Sequence, residues 1–288
     1  MKKFIILPLL LLSSLAFSQQ ILPTEIPADE SDLLGQCEGF NTKKPWAYCL
    51  YKFKNSRSRD VLYLLHGAGG NAQQWIHNWK TIRYLWRQRN MDAPTVISVS
   101  FGPYWALAEK NSSSFSGLFG FYTQSVMPFL ESKLPFHVRR RLLLGESMGG
   151  FNAFQLVTKA PKLFTKSAIV CPAILAIDQF STDQEVSEFI QRTGAESWRV
   201  YWALRYYKAF YPDPTDWTQA QPQQLFHHLK DAPPIYLSCG RQDQWGFFEA
   251  TQKIGEALVK MRHDSYWRPL EGLHCVRNYE EIVNFLSN

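Results

Sequence analysis

The pentapeptide Gly145-Glu146-Ser147-Met148-Gly149 is the stretch of this chain best suited to chemistry. It lies between a short apolar run, Arg141 to Leu144, and a segment from Phe151 to Ala160 that can continue as a helix. In a G-x-S-x-G turn the serine is held out at the tip, and the glycines let strand and helix approach without a Cβ clash. The helix that follows directs its N-terminal N–H groups at the place where an oxyanion would form. A serine hydroxyl is a weak nucleophile at neutral pH, so it needs a base, and the base needs an orienting carboxylate. Asp243 and His274 follow Ser147 in that order, each in a loop after a strand-like run. Asp243 would accept the Nδ1–H of His274, whose Nε2 would take the proton of Ser147. Asp264 is the competing acid, and His263, His227 and His228 are competing bases, but only His274 sits in a Gly-x-His loop before the final helix. Two backbone donors are needed for the oxyanion. One is the N–H of Met148. The other comes from His66-Gly67-Ala68-Gly69-Gly70, with Ala68 the expected donor and Gly69 the alternative.

Those loops need a scaffold that presents them along one edge. Val61 to Leu65 is a continuous apolar run, the mark of a strand buried on both faces. Thr95 to Phe101, Ser167 to Cys171 and Pro234 to Ser238 read as further strands, with Trp46 to Phe53 as an outer one and a short strand near 265–268. Helical patterns alternate with them: from Asn71 to about Arg89, from Tyr122 to Lys133, after the pentapeptide, from Gly246 to Arg262, and from Val276 to Leu286. This rhythm predicts an α/β fold with a mainly parallel, doubly wound sheet. It breaks at 173–232, where helices are expected near 181–193, 196–210 and 219–231 instead of a strand. That segment reads as a helical cap insertion over the site. Its Trp198 and Trp202, four apart on one helical face, are expected to line the substrate pocket with Trp75, Trp105 and Trp245, core packing being the alternative for each.

The chain has 288 residues, enough for one domain with a sizeable core. Residues 1–18 read as a secretory signal peptide: Lys2 and Lys3, an apolar run from Phe4 to Leu12, and Ala16-Phe17-Ser18, with cleavage between Ser18 and Gln19. The run is too short for a stable membrane span. Residues 19–45 read as an irregular lead-in, and 46–288 as the folded domain. Loss of Lys2 and Lys3 lowers the formal charge from +6 to +4. No Lys/Arg run with interleaved aromatics occurs, so a nucleic-acid partner is not expected. Five cysteines in an exported chain point to disulfides. Cys37–Cys49 is the expected first bridge. Contact between the Asp243 and His274 loops predicts Cys239–Cys275 as the second, with Cys171 free. No cysteine or histidine spacing predicts a metal site, and no cofactor is expected.

Gly145-Glu146-Ser147-Met148-Gly149-Gly150, Leu65-His66-Gly67-Ala68-Gly69-Gly70, Gly240-x-x-Asp243 and Gly272-x-His274 together resemble the "Putative esterase" (esterase D-like) family of α/β-hydrolases. That family includes S-formylglutathione hydrolases, feruloyl and acetylxylan esterases and mycolyltransferases. The resemblance spans roughly 46–286 and departs from the family where Glu146 stands in place of the histidine common in such elbows. It implies an α/β-hydrolase fold and a carboxylesterase-type serine hydrolase working through an acyl-enzyme. The expected substrate is a small-molecule, carbohydrate or lipid ester, met in the periplasm or outside the cell. Acyl transfer to a sugar or lipid alcohol, and a non-catalytic binding scaffold, are the alternative readings. A peptidase ranks below them.

Overall fold

Eight strands and nine helices are present in the computed structural model, which describes residues 33–39, 46–53, 55–109, 117–221, 228–261 and 264–288. The strands are β1 (Leu33–Glu38), β2 (Ala47–Phe53), β3 (Val61–Leu65), β4 (Thr95–Ser100), β5 (Arg141–Glu146), β6 (Lys166–Val170), β7 (Ile235–Gly240) and β8 (Tyr266–Leu270). They form one sheet in the order β1-β2-β4-β3-β5-β6-β7-β8. From β4 to β8 all pairings are parallel, and β2 runs against both β1 and β4. Every residue of β3, β4 and β7 is buried, as continuous apolar runs in a sheet covered on both faces require.

β1 lies inside the stretch expected to be irregular. Polar and turn-forming neighbours conceal it in the sequence, and its strand form depends on pairing with β2. Cys37 stands directly opposite Cys49 in that pairing, and the two are bridged as expected, with Cα atoms 4.1 Å apart. The expected signal peptide and the rest of the lead-in fall outside the described residues.

Helix α1 (Ile76–Gln88) begins later than Asn71. The Asn71 side chain accepts a bond from the Gln73 N–H at 2.8 Å, and its carbonyl accepts from Gln74 N–H at 3.1 Å. Asn71 therefore closes a separate turn, and the helix starts after it. α2 (Leu118–Phe121) and α3 (Met127–Glu131) are joined by a π-helical turn, Tyr122–Val126. α4 (Met148–Lys159) follows β5 at once and is buried along nearly its whole length.

Between β6 and β7 come α5 (Asp183–Thr193), α6 (Ser197–Phe210) and α7 (Pro214–Ala220). α5 has a capping box, in which Thr182 and Glu185 satisfy each other's backbone N–H, and ends at Gly194 in the left-handed conformation. Of the helix expected at 219–231, residues 222–227 fall outside the described residues, and α7 lies earlier, ending at Ala220. Asp213 caps it, accepting from Thr215 N–H at 2.8 Å, and Pro214 takes the first turn, where its missing N–H costs nothing. α8 (Phe247–Lys260) and α9 (Tyr279–Ser287) complete the chain.

The α5–α7 segment is tied to loops that leave the same edge of the sheet. Tyr206 donates to the Trp105 carbonyl at 2.6 Å, Tyr207 to that of Ala173 at 2.7 Å, and the Glu196 N–H to that of Gln244 at 2.8 Å. These acceptors follow β4, β6 and β7 respectively. The helices thus lie against the C-terminal edge, where Ser147 is. No described helix is long and apolar enough to cross a membrane.

Candidate active site

β3 and β5 are neighbours, yet the chain leaves β3 for β4 on one side and returns to β5 on the other. Such a reversal opens a crevice at the carboxyl ends of the strands, the usual place for a ligand in an open α/β sheet. Ser147 follows β5 there, with φ 52° and ψ −117°. A non-glycine residue in this region is strained by about 1–3 kcal/mol and needs support. It receives support from both sides: its N–H donates to Val170 O at 3.0 Å, and its carbonyl accepts from Ala173 N–H at 2.9 Å. The close approach of helix to sheet explains the elbow glycines. A Cβ on Gly149 would collide with the carbonyl of Leu65, and one on Gly145 with that of Gly149.

Ser147, His274 and Asp243 are brought together. His274 Nε2 lies 3.0 Å from Ser147 Oγ, and Nδ1 lies 2.6 Å from Asp243 Oδ2. With Nδ1–H donated to the carboxylate, Nε2 is left to accept the serine proton. Asp243 is buried and fixed: Oδ1 accepts from Trp245 N–H at 2.9 Å, and the Cys239 thiol lies 3.7 Å from Oδ2. The Asp and His loops are zipped together. Gln242 N–H donates to Gly272 O at 3.0 Å, Gly272 N–H to the Gln242 side chain at 2.7 Å, and His274 N–H to that of Gln244 at 3.0 Å. Of the competing residues, Asp264 lies with Lys166, Pro234 and Tyr236 at the opposite end of the strands. His228 is exposed on a short turn after α7, and His227 and His263 fall outside the described residues.

The glycine-rich loop after β3 lies against the elbow, since a Cβ on Gly67 would sit 3.5 Å from that of Ser147. Gly69 N–H is committed to Pro103 O at 2.7 Å and Gly70 N–H to Gly67 O at 3.1 Å, so these two N–H groups are spent within the scaffold. His66 braces this loop. Its Nδ1 lies 2.8 Å from Gly67 O, while Nε2 accepts from the Trp105 indole N–H at 3.0 Å and lies 2.8 Å from Ser100 Oγ. Trp105 can only donate, so His66 is the neutral Nδ1–H tautomer. Burial agrees, pushing its pKa down to about 4.

The second bridge is Cys171–Cys275, not Cys239–Cys275, and Cys239 is the free thiol. Cys171 and Cys275 both have positive φ, 41° and 57°, which turns them out of regular geometry toward each other at a Cα separation of 5.2 Å. Cys239 lies inside β7 beneath Asp243, and burial pushes its thiol pKa well up. Cys275 Sγ is 3.4 Å from His274 Nε2, so the bridge flanks the imidazole. Cys171, His274 and Cys275 are the one group with metal-ligand proximity among the described residues, and the bridge uses both sulfurs.

The expected pocket aromatics divide. Trp75 and Trp105 are each 1% exposed: the first packs beneath the Arg277 guanidinium and the second braces His66, so both belong to the core. Trp245, Trp202 and Trp198 form a connected wall. Ring centroids lie 5.8 Å apart for Trp245 and His274, 5.5 Å for Trp202 and Trp245, and 6.0 Å for Trp198 and Trp245. Tyr104 extends the wall 5.4 Å from Trp202. Sequence reasoning missed Tyr104, the Cys171 partnership and the buried Glu146–Arg277 ion pair. For that pair the sequence held one signal, the unexpected charge next to Ser147.

A family model described as "Putative esterase" matches residues 41–268. No curated protein matches the chain. Among solved structures it is similar to a ferulic acid esterase, with 14% identity, TM-score 0.60 and coverage of 88% of this chain and 94% of the other. It is similar to an S-formylglutathione hydrolase from Staphylococcus aureus, with 12% identity, TM-score 0.60 and coverage of 89% and 99%. It also resembles brefeldin A esterase, a bacterial homologue of human hormone sensitive lipase, with 15% identity, TM-score 0.63 and coverage of 88% and 72%.

Proposed function

Since this chain belongs to the "Putative esterase" family of α/β-hydrolases and is a hydrolase of carboxylic esters, we propose that it is an exported serine esterase using Ser147, His274 and Asp243. The carrying observation is the continuous hydrogen-bond chain Ser147–His274–Asp243, at 3.0 and 2.6 Å. Ser147 Oγ attacks the ester carbonyl carbon while His274 Nε2 takes its proton, giving a tetrahedral oxyanion held by the N–H groups of Ala68 and Met148. Collapse breaks the bond to the alcohol oxygen, and the imidazolium returns its proton to that leaving group. Water then attacks the acyl-enzyme by the same route in reverse, releasing the acid. Asp243 orients the imidazole and stabilises its charged form.

The α5–α7 segment acts as a cap on this site. The wall of Trp245, Trp202 and Trp198 leads outward from His274 and offers a large apolar face with few rotatable bonds, suited to a ring-shaped or hydrophobic group of the ester. Export is supported by the two disulfides, which persist in oxidising compartments. A fluorophosphonate probe should label the wild type but not Ser147→Ala. Ester turnover should fall by about three orders of magnitude or more in Ser147→Ala, His274→Ala and Asp243→Asn, non-additively because the three act as a unit. Near-normal turnover by folded Ser147→Ala would end this reading.

A further inference from the structure

Glu146 and Arg277 are 2% and 5% exposed, and burying two charges is costly unless they are paired and hydrogen-bonded. They are paired with each other, through Arg277 Nη2 and Glu146 Oε2. The other carboxylate oxygen, Oε1, accepts from the Gln74 side-chain amide. Arg277 Nη1 also donates to the Tyr279 hydroxyl at 3.1 Å, and its guanidinium lies 5.6 Å from the Trp75 ring and 5.8 Å from that of Tyr279. Burial alone would depress the Arg277 pKa, but Glu146 and Tyr279 hold it above the ordinary value. The guanidinium therefore stays charged. None of these groups has a task in the acyl-transfer steps.

Their placement supplies one. Glu146 is the last residue of β5 and is bonded covalently to Ser147. Arg277 lies three residues after His274, between the base and α9. Gln74 underlies the glycine-rich loop, since a Cβ on Gly70 would run into its carboxamide and one on Gly67 would come within 3.9 Å of its nitrogen. One buried carboxylate is thus joined to all three loops of the site: nucleophile, base and oxyanion donor. They come from different strands and have no sequence continuity. We propose that Glu146, Arg277 and Gln74 are positioning residues, a buried ionic clamp that fixes Ser147 Oγ against His274 Nε2 and the Ala68 loop. The proposal rests on the serine-esterase reading. It gives Glu146 a reason to stand beside the nucleophile, because a neutral residue there would leave the buried Arg277 charge uncompensated. The Cys171–Cys275 bridge holds the same short loop at Cys275, between the base and Arg277.

The test is steady-state kinetics on a small acetyl ester for Glu146→Gln, Arg277→Lys, Arg277→Met and the double variant Glu146→Gln/Arg277→Met, with melting temperatures and fluorophosphonate labelling rates. Misplacement of reacting groups by about 1 Å costs on the order of a hundredfold, so kcat should fall about tenfold to a hundredfold in Glu146→Gln and Arg277→Met. KM should change by less than about threefold, because the acetyl ester touches none of these residues. Arg277→Lys should restore part of the loss, and the double variant should lose no more than its worse single parent. The groups facing His274, namely Asp243, the Ser147 hydroxyl, the bridged Cys275 and the Trp245 and Phe247 rings, are unchanged in every variant. Folded variants with wild-type kcat would overturn the clamp, as would losses that only track a lowered folded fraction. If Arg277→Met does not fold, the isosteric Glu146→Gln and the charge-preserving Arg277→Lys decide alone. Wild type that takes no fluorophosphonate label overturns the esterase reading itself, whereas labelled wild type with indifferent variants overturns the clamp alone.

Discussion

Trp198 and Trp202 occupy the same helix face four residues apart, yet their surroundings separate them. Trp198 is 52% exposed, its indole N–H spent on Glu196 at 2.7 Å, with the Arg199 guanidinium 4.4 Å from its ring. Trp202 is half-buried between Tyr104, Tyr206 and Trp245. Trp198→Ala should leave unfolding free energy within about 0.5 kcal/mol of wild type, as most surface substitutions do. It should still lower kcat/KM for esters with bulky aromatic or ring-shaped groups more than for a small acetyl ester. Trp202→Ala should shift selectivity in the same direction and also cost about 1–2 kcal/mol through the apolar area it uncovers. A substrate panel run beside thermal melts checks both. Equal loss on every substrate would return the two rings to packing.

Of the two disulfides, Cys171–Cys275 spans the longer stretch of chain. It joins the turn after β6, where Val170 at the strand end and Ala173 in the turn brace Ser147, to the loop carrying His274. Its closed loop has a sequence separation of 104 and takes in α5 to α7, β7, α8 and β8. Removing such a cross-link costs up to about 5 kcal/mol in the chain-entropy picture, and commonly less. Cys171→Ser/Cys275→Ser should therefore melt lower, and its kcat should fall while Cys239→Ser retains most activity. Alkylation of unfolded but unreduced wild type should modify Cys239 alone. A non-reducing peptide map should link Cys171 to Cys275. A map joining Cys239 to Cys275 would refute the assignment.

The molecule as a whole should lose stability on acidification, and two buried groups define where. His66 is held neutral with a pKa near 4 against about 6.5 when unfolded, so between these values the unfolded chain binds more protons. Its contribution is complete above pH 6.5 and is lost progressively as the pH falls toward 4, amounting to roughly 3 kcal/mol from the width of that window. Asp60 follows at lower pH. Burial alone would raise its pKa, but Arg139 and Arg140 at 2.9 and 2.7 Å hold it below the ordinary value, so acid must break that cluster. Urea unfolding measured from pH 7 to pH 4 should show stability declining throughout, with a shallower slope in His66→Gln. Equal slopes would remove His66 as the source.

Local pattern settled a good deal of this before any tertiary contact was known. The short runs at 61–65, 95–101 and 234–238, each ended by turn residues, read as covered strands. The order Ser147, Asp243, His274 at such ends named the three residues that the fold brings into one hydrogen-bond chain. The helices at 183–193 and 197–210 are legible because their period is local, whereas α7 starts at a cap and first-turn proline, Asp213-Pro214, that lie ahead of the expected 219–231. Tertiary structure decided what depends on direction and partner. Residues 33–38 became a strand only because β2 was there to pair with them. Trp75 and Trp105, adjacent in sequence to site loops, point into the core. Cys275 found Cys171 because a positive φ at each sulfur-bearing residue turns it toward the other, while Cys239 faces Asp243 from inside β7. Glu146 and Arg277, 131 residues apart, meet only because β5 delivers one and the loop after β8 returns the other to the same crevice. Periodicity and turn preference are properties of neighbouring residues, whereas pairing between strand ends is set by sheet order and side-chain direction, which no stretch of sequence carries alone.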